Sequence, residues 1–301
     1  MNNIIKRKTK RKLRPYGKLT PYMFLLPALL ILGIFVFYPL IRVIMYSFQS
    51  YNVFTPPEWI GTKNYENIIK DKAFLAALKN TVLYFIIVVP TLVVLPVFVA
   101  ILVNSKLKGI KFFRASYYLP VITSMVVAGI AWKWIYADSG LLNYLLVNIL
   151  HIIKKPIPFL TSKNTALYSV MIVTIWKGIG YYMVIYLSGL QAISQDIWEA
   201  AEIDGASGLK KHLFITFPLL APSMAIVAVM SSMAAMKVFD EIYIMTGGGP
   251  FNSTKTVVYY LYERAFSQLE MGYASAVGVI LFLILLVFSI ISIKISDKKV
   301  Q

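Results

Sequence analysis

Among the ionisable side chains inside long apolar runs of this 301-residue chain, five are candidates for chemistry: Lys133, Lys177, Lys237, Asp240 and Glu241. A charge held in hydrocarbon is costly, so each marks a polar pathway, an ion pair or a solvated span end. Lys133 and the Asp240–Glu241 pair lie near the ends of their runs, where a side chain reaches headgroups or water. Lys177 and Lys237 sit further in and suit a polar pathway as well as a buried ion pair. No other reactive constellation is spelled out. The chain has no cysteine, and its two histidines, His151 and His212, lack a neighbouring ligand pattern. No Gly-x4-Gly-Lys-Ser/Thr phosphate loop occurs, and Gly247-Gly248-Gly249-Pro250 reads as a turn because no helix carrying Lys-Ser or Lys-Thr follows it at the required spacing. With no Ser/His/Asp set or opposed carboxylate pair either, the expectation is a chain without catalytic residues, metal or cofactor of its own.

One polar stretch interrupts the apolar pattern: Glu199-Ala200-Ala201-Glu202-Ile203-Asp204-Gly205, continuing to Ile215-Thr216-Phe217-Pro218. Asp196 as N-cap, with Glu199 at the third helical position, predicts a short helix over about 197–204. Gly205 supplies a left-handed turn to end it, and Ser207 caps a second short helix through Lys210, Lys211 and Phe214. Pro218 then opens the next span, where its missing N–H is harmless. Ala200 and Ala201 leave a face that another protein can approach closely. The alternative is a loop of amphipathic pieces lying on the membrane.

The elements around this stretch are set by composition. At 58% hydrophobic and 14% charged residues, with a mean hydropathy of +0.70, the chain is an integral membrane protein. Apolar runs at about 22–47, 79–103, 115–136, 166–190, 219–244 and 273–294 are each long enough to cross about 30 Å of hydrocarbon. The expected organisation is a basic tail over 1–21, a six-span domain over 22–296 with a polar loop at about 191–218, and a short tail over 297–301. The net charge of +17 gathers beside the spans, where it meets lipid headgroups; no soluble domain remains for nucleic acid. Lys106, Lys108, Lys111 and Arg114 between spans two and three, and Lys294, Lys298 and Lys299 at the end, place both termini and the 191–218 loop in the cytoplasm. The run at 22–47 is too long for a signal peptide, and Pro27 and Pro39 are expected to bend it.

Glu199-Ala200-Ala201, Gly205, Ile215 and Phe217-Pro218 closely resemble the EAA loop of type I ABC importer permeases, EAA-x3-G-x9-I-x-LP, with Phe217 where leucine is usual. Phe239 to Pro250, Tyr118-Leu119-Pro120 and Trp176 extend the resemblance to carbohydrate-uptake permeases of the maltose and multiple-sugar type, over about residues 20–295. The resemblance implies an all-α fold of six transmembrane helices in a bacterial cytoplasmic membrane. It also implies a second homologous permease subunit, two cytoplasmic ATP-binding subunits that carry ATP and magnesium, and an extracytoplasmic solute-binding protein. Glu199, Ala200, Ala201, Gly205, Ile215 and Pro218 would then couple to the ATPase, and Thr174, Lys177, Gly178, Ser231, Ala235 and Val238 would line the substrate path. Several of these path residues are less polar than a disaccharide site favours. Tyr181 and Tyr182 offer a stacking face for a sugar ring or an interfacial anchor. A glycerol-phosphate permease is the near alternative, with Lys177 or Lys237 as anion partner. An ion-coupled secondary transporter would need inverted repeats, and a channel a filter ring; neither is visible.

Overall fold

Backbone polar groups in hydrocarbon have no water to bond, so a chain this apolar folds into helices that satisfy themselves. The computed structural model describes residues 20–105 and 107–300, and among them the only strands are the two-residue β1 (Gln49–Ser50) and β2 (Glu58–Trp59), paired antiparallel. The basic tail expected over 1–21 lies almost wholly outside the described residues. Helices α1 (Thr20–Leu32) and α2 (Tyr38–Ser47) join through a π turn at Gly33–Phe37, and α3 (Lys63–Lys70) leads into the long α4 (Lys72–Val103). Then come α5 (Ile110–Ile122), α6 (Met125–Ile135), α7 (Leu141–Tyr144), α8 (Ala166–Ala192), α9 (Gln195–Ile203) and α10 (Gly208–Lys211). The chain closes with α11 (Phe217–Leu219), α12 (Ala221–Met236), α13 (Asp240–Met245), α14 (Val257–Tyr262) and α15 (Met271–Val300).

Among the described residues four helices are long and apolar enough to cross a membrane, and up to six crossings result when each of two bent pairs counts as one. The bends correct the expected spans three and five. Span three begins at Ile110, five residues or so before the apolar run, and turns by 99° between α5 and α6. Pro120 weakens the helix there, Thr123 is extended, and Ser124 caps α6 by accepting from the Val126 N–H at 3.3 Å. Span five bends by 63° at Leu220, and its long arm stops at Met236, so residues 240–245 form the separate α13.

Prolines inside other spans cause no such break. The Tyr22–Ser47 run remains one span, with a π turn at Gly33–Phe37 that widens the helix where the Pro39 ring would strike a carbonyl. The same device precedes Pro218, where Phe217 N–H bonds to the His212 carbonyl across a π turn at His212–Thr216.

The bundle is built on α4 and α8. Tyr84, Val88, Leu92 and Val97 of α4 are buried against Val170, Met171, Val173 and Met183 of α8, and Tyr186 of α8 donates to the Val93 carbonyl at 2.8 Å. With lipid as apolar as leucine, such packing depends on close contact rather than on escape from water. Gly180 provides the closest contact: a Cβ there would stand 2.0 Å from the Tyr117 carbonyl oxygen of α5.

At the end of the bundle remote from the 191–218 loop, Asp71 caps α4 and gathers three other elements. Its Oδ2 accepts from Tyr260 at 2.5 Å, Tyr273 at 2.9 Å and Arg264 at 2.8 Å, while Arg264 also pairs with Glu270 at 2.7 Å. Burial by itself raises the Asp71 carboxyl, yet the two phenols and the N–H groups of Ala73 and Phe74 hold it below its ordinary value.

Two outcomes are expected. Gly180→Ala overpacks the α5–α8 contact and costs about 1–3 kcal/mol, read as a lower melting temperature of the purified protein. The Asp71 anion stabilises the fold fully above the unfolded value of about 3.9, and that stability is lost as pH falls through the lower folded value. Melting curves therefore steepen in their pH dependence below about pH 4, and Asp71→Asn flattens it.

Candidate functional site

The EAA-like segment folds as two short helices, α9 and α10, joined through a glycine turn. Helix α9 starts two residues earlier than expected, with extended Ser194 at the N-cap position and Asp196 in the first turn, where a negative charge complements the helix dipole. It ends at Gly205, whose φ of +74° is the left-handed conformation glycine adopts freely. Gly205 N–H donates to the Glu202 carbonyl at 3.1 Å and Ala206 N–H to the Ala201 carbonyl at 2.9 Å, the paired bonds of a Schellman cap. Lys211 then ties α10 back to α9, with its ammonium 3.3 Å from Glu202 and 4.8 Å above the Trp198 ring. Ser207 directly precedes α10, and Pro218 falls inside the helix rather than at its start, so the loop runs without a gap into span five.

This arrangement sorts the motif residues by exposure. Ala201 is buried, and Ile215 is half-buried beside the fully buried Thr216. Glu199, Ala200, Gly205 and Pro218 are exposed, and Ile203 and Phe214 present 86% and 76% of their apolar surface. A cleft of about 340 Å³ separates α9 and α10 from Ile101, Asn104 and Leu190 at the ends of α4 and α8. His212 sits in it and shares a 3.1 Å hydrogen bond with Thr216. The segment is capped, and its exposed side carries Ile203 and Phe214 among the charges of Glu199, Glu202, Asp204 and Lys210.

Four of the six path candidates meet. Thr174, Ser231, Ala235 and Val238 line one pocket of about 160 Å³ between α4, α8 and α12, together with Lys237, Asp240 and Glu241. Gly178 stands just outside, against Leu92 of the pocket wall. Lys177 is half-buried and lies outside the residues that line this pocket. Its ammonium donates to the Pro120 carbonyl at 3.0 Å and to the Thr123 carbonyl, so it occupies the acceptors laid open at the break in span three. Among the described residues neither Lys177 nor Lys237 makes an ion pair. Lys133 is exposed in a cleft beside Gly249 and Pro250, where the glycine run is a turn with Gly247 and Gly248 at positive φ. Tyr181 and Tyr182 meet edge to face at 5.2 Å, the first exposed and the second buried.

Sequence reasoning missed Tyr84. This fully buried phenol of α4 lies 2.5 Å from the Thr174 hydroxyl and forms part of the pocket wall. Its only signal was a hydroxyl in the middle of an otherwise apolar run. At about 160 Å³ the pocket is small beside the roughly 300–1,000 Å³ usual for ligand sites.

Broken spans around a small pocket of mixed polarity, with a capped, exposed loop at one end, are the build of a membrane transport subunit. Residues 70–301 match the family described as binding-protein-dependent transport system inner membrane component. The probable ABC transporter permease protein YurN of Bacillus subtilis is 36% identical over 92% of this chain and 96% of its own length. The arabinooligosaccharides transport system permease protein AraP of the same organism is 33% identical over 93% and 90%. The multiple sugar-binding transport system permease protein MsmF of Streptococcus mutans is 32% identical over 92% and 95%. The chain belongs to the family of binding-protein-dependent transport system inner membrane components. In fold it is similar to a chain of a bacterial alginate ABC transporter crystallised with a pentasaccharide-bound periplasmic protein, with a TM-score of 0.82, 22% identity, and 92% and 94% of the two chains covered.

Nothing lies within 4 Å of a Cβ built at Gly205, so a substitution there acts through backbone conformation alone. Gly205→Val costs about 1–2 kcal/mol in the left-handed region, whereas Gly205→Asn is tolerated. Limited proteolysis is expected to cut the valine variant faster around residues 203–208 and the asparagine variant at the original rate.

Proposed function

We propose that this chain is one of two membrane subunits of an ATP-driven, binding-protein-dependent importer of a sugar or oligosaccharide in the cytoplasmic membrane of a bacterial cell. The observation that carries this reading is the continuous path from an exposed EAA-like helix, through a capped joint and span five, to the pocket at Ser231 and Ala235. Residues Glu199 to Leu213 act as the coupling helix. Ala200 admits close backbone approach, and exposed Ile203 and Phe214 give a cytoplasmic ATP-binding subunit an apolar seat. Two such subunits carry ATP and magnesium, since this chain has no phosphate loop. The lysines and arginine of the 104–114 and C-terminal segments orient the coupling loop and both termini inward.

The pocket's small volume favours a second homologous permease that completes the substrate site, with Thr174, Ser231, Ala235 and Val238 as this chain's share and Gly178 behind them. An extracytoplasmic solute-binding protein delivers cargo to the opposite end. Sugar is the favoured cargo because relatives named for arabinooligosaccharides, multiple sugars and lactose align over about nine-tenths of the chain. Glycerol phosphate is less well served by Lys177, whose ammonium already holds two carbonyls, and would depend on Lys237, which lines the pocket without an ion pair among the described residues.

Uptake of labelled arabinotriose, lactose, maltotriose and glycerol 3-phosphate is measured in cells with and without the gene. Loss of a sugar, with glycerol phosphate retained, is the expected result; loss of glycerol phosphate alone reverses the assignment. Glu199→Lys is expected to abolish uptake and sugar-stimulated ATP hydrolysis while leaving the protein in the membrane. Wild-type hydrolysis in that variant sinks the coupling role.

A further inference from the structure

We propose that five aromatic rings at the mouth of the span-five pocket form a stacking platform for the rings of an incoming sugar chain. The platform comprises Phe239 and Tyr243 on the α13 side, facing Tyr259, Tyr262 and Phe266 on the α14 side. Positions 239 and 243 are one helical turn apart, as are 259, 262 and 266 in succession, so each set gathers on a single face. Across the gap the rings follow one another closely. Phe239 lies 5.1 Å from Tyr262, and Tyr262 lies 5.2 Å from Phe266. Phe239 is also stacked on Tyr243 at 5.4 Å with 23° between planes, and Tyr243 meets Tyr262 at 5.5 Å.

Two observations set this cluster apart from core packing. It is open: Tyr243 is 49% and Phe266 63% exposed. It is also continuous with the pocket, because Phe239 lines both and its neighbours there are Lys237, Asp240 and Glu241. Aromatic faces beside charged hydrogen-bonding groups match the two-sided chemistry of a sugar ring, which offers C–H groups on its faces and hydroxyls at its edge. A lipid chain would gain nothing from the charged groups, and an anion would gain nothing from the ring faces. The platform lies on the α13 side of the pocket, past the end of α12, so it is met before Ser231 and Ala235 by cargo that enters from that end. It selects for chains of more than one sugar unit, since a row of rings holds several units at once.

This inference rests on the sugar reading, and its test separates the two. The full importer is assembled in cells with wild-type chain or with Tyr243→Leu, Tyr243→Phe or Phe266→Leu, and initial uptake of labelled arabinotriose, maltotriose and lactose is normalised to the amount of transporter in the membrane. Stacking on one ring is worth about two- to tenfold in binding, so Tyr243→Leu and Phe266→Leu are expected to lower uptake of the transported trisaccharide by that factor. Tyr243→Phe keeps the face and is expected to match wild type. Phe266→Leu alters the most exposed ring of the set and so guards against a folding defect at Tyr243. Leucine variants that transport as well as wild type overturn the platform and leave an apolar surface for lipid or a neighbouring subunit. A Tyr243→Phe variant as poor as Tyr243→Leu overturns it too, because a hydroxyl contact would then carry the effect. If the wild type imports none of the three sugars, the sugar reading fails and the platform falls with it.

Discussion

A helix can be broken inside an apolar medium only where some other group takes over the carbonyls it abandons. In this bundle that group is the ammonium of Lys177, bound to the carbonyls of Pro120 and Thr123 at the sharpest bend of the molecule. The bend lets α5 lie against α8 at Gly180 while α6 turns away to pack on α13. The position of α13 in turn decides what closes the pocket at Ser231. One charged side chain thus supports a geometry that no amount of apolar packing would hold alone.

The local features of the coupling loop were legible because each depends on neighbours in sequence. A glycine at 205, acids before it and alanines at 200 and 201 act within a few residues, and α9 formed within two residues of its expected limits. Even the shift of its cap from Asp196 to Ser194 changes only where the first turn begins. Apolar length likewise marked the four long helices and missed the breaks that divide the third and fifth spans.

Interactions across long separations were not legible. Hydropathy averages over a window and does not register that Thr123 is extended between two equally apolar halves. The partners of Lys177 lie more than fifty residues earlier, and Arg264 lies 193 residues from Asp71. Tyr84 looked like any aromatic residue in a span until α8 brought Thr174 to its hydroxyl. Residue type announces a need for a partner; only the packed bundle says which one.

The π turn at His212–Thr216 bears on the spacing of the motif itself. Such a turn holds one residue more than an α turn. Removing that residue would restore a regular helix and rotate everything before it by about 100° relative to span five. Trp198 and Lys211 would leave the cleft, and the exposed side of α9 would face a different direction. The number of residues between Gly205 and Ile215 therefore acts as an angular setting, and the loop's aim is encoded as a length.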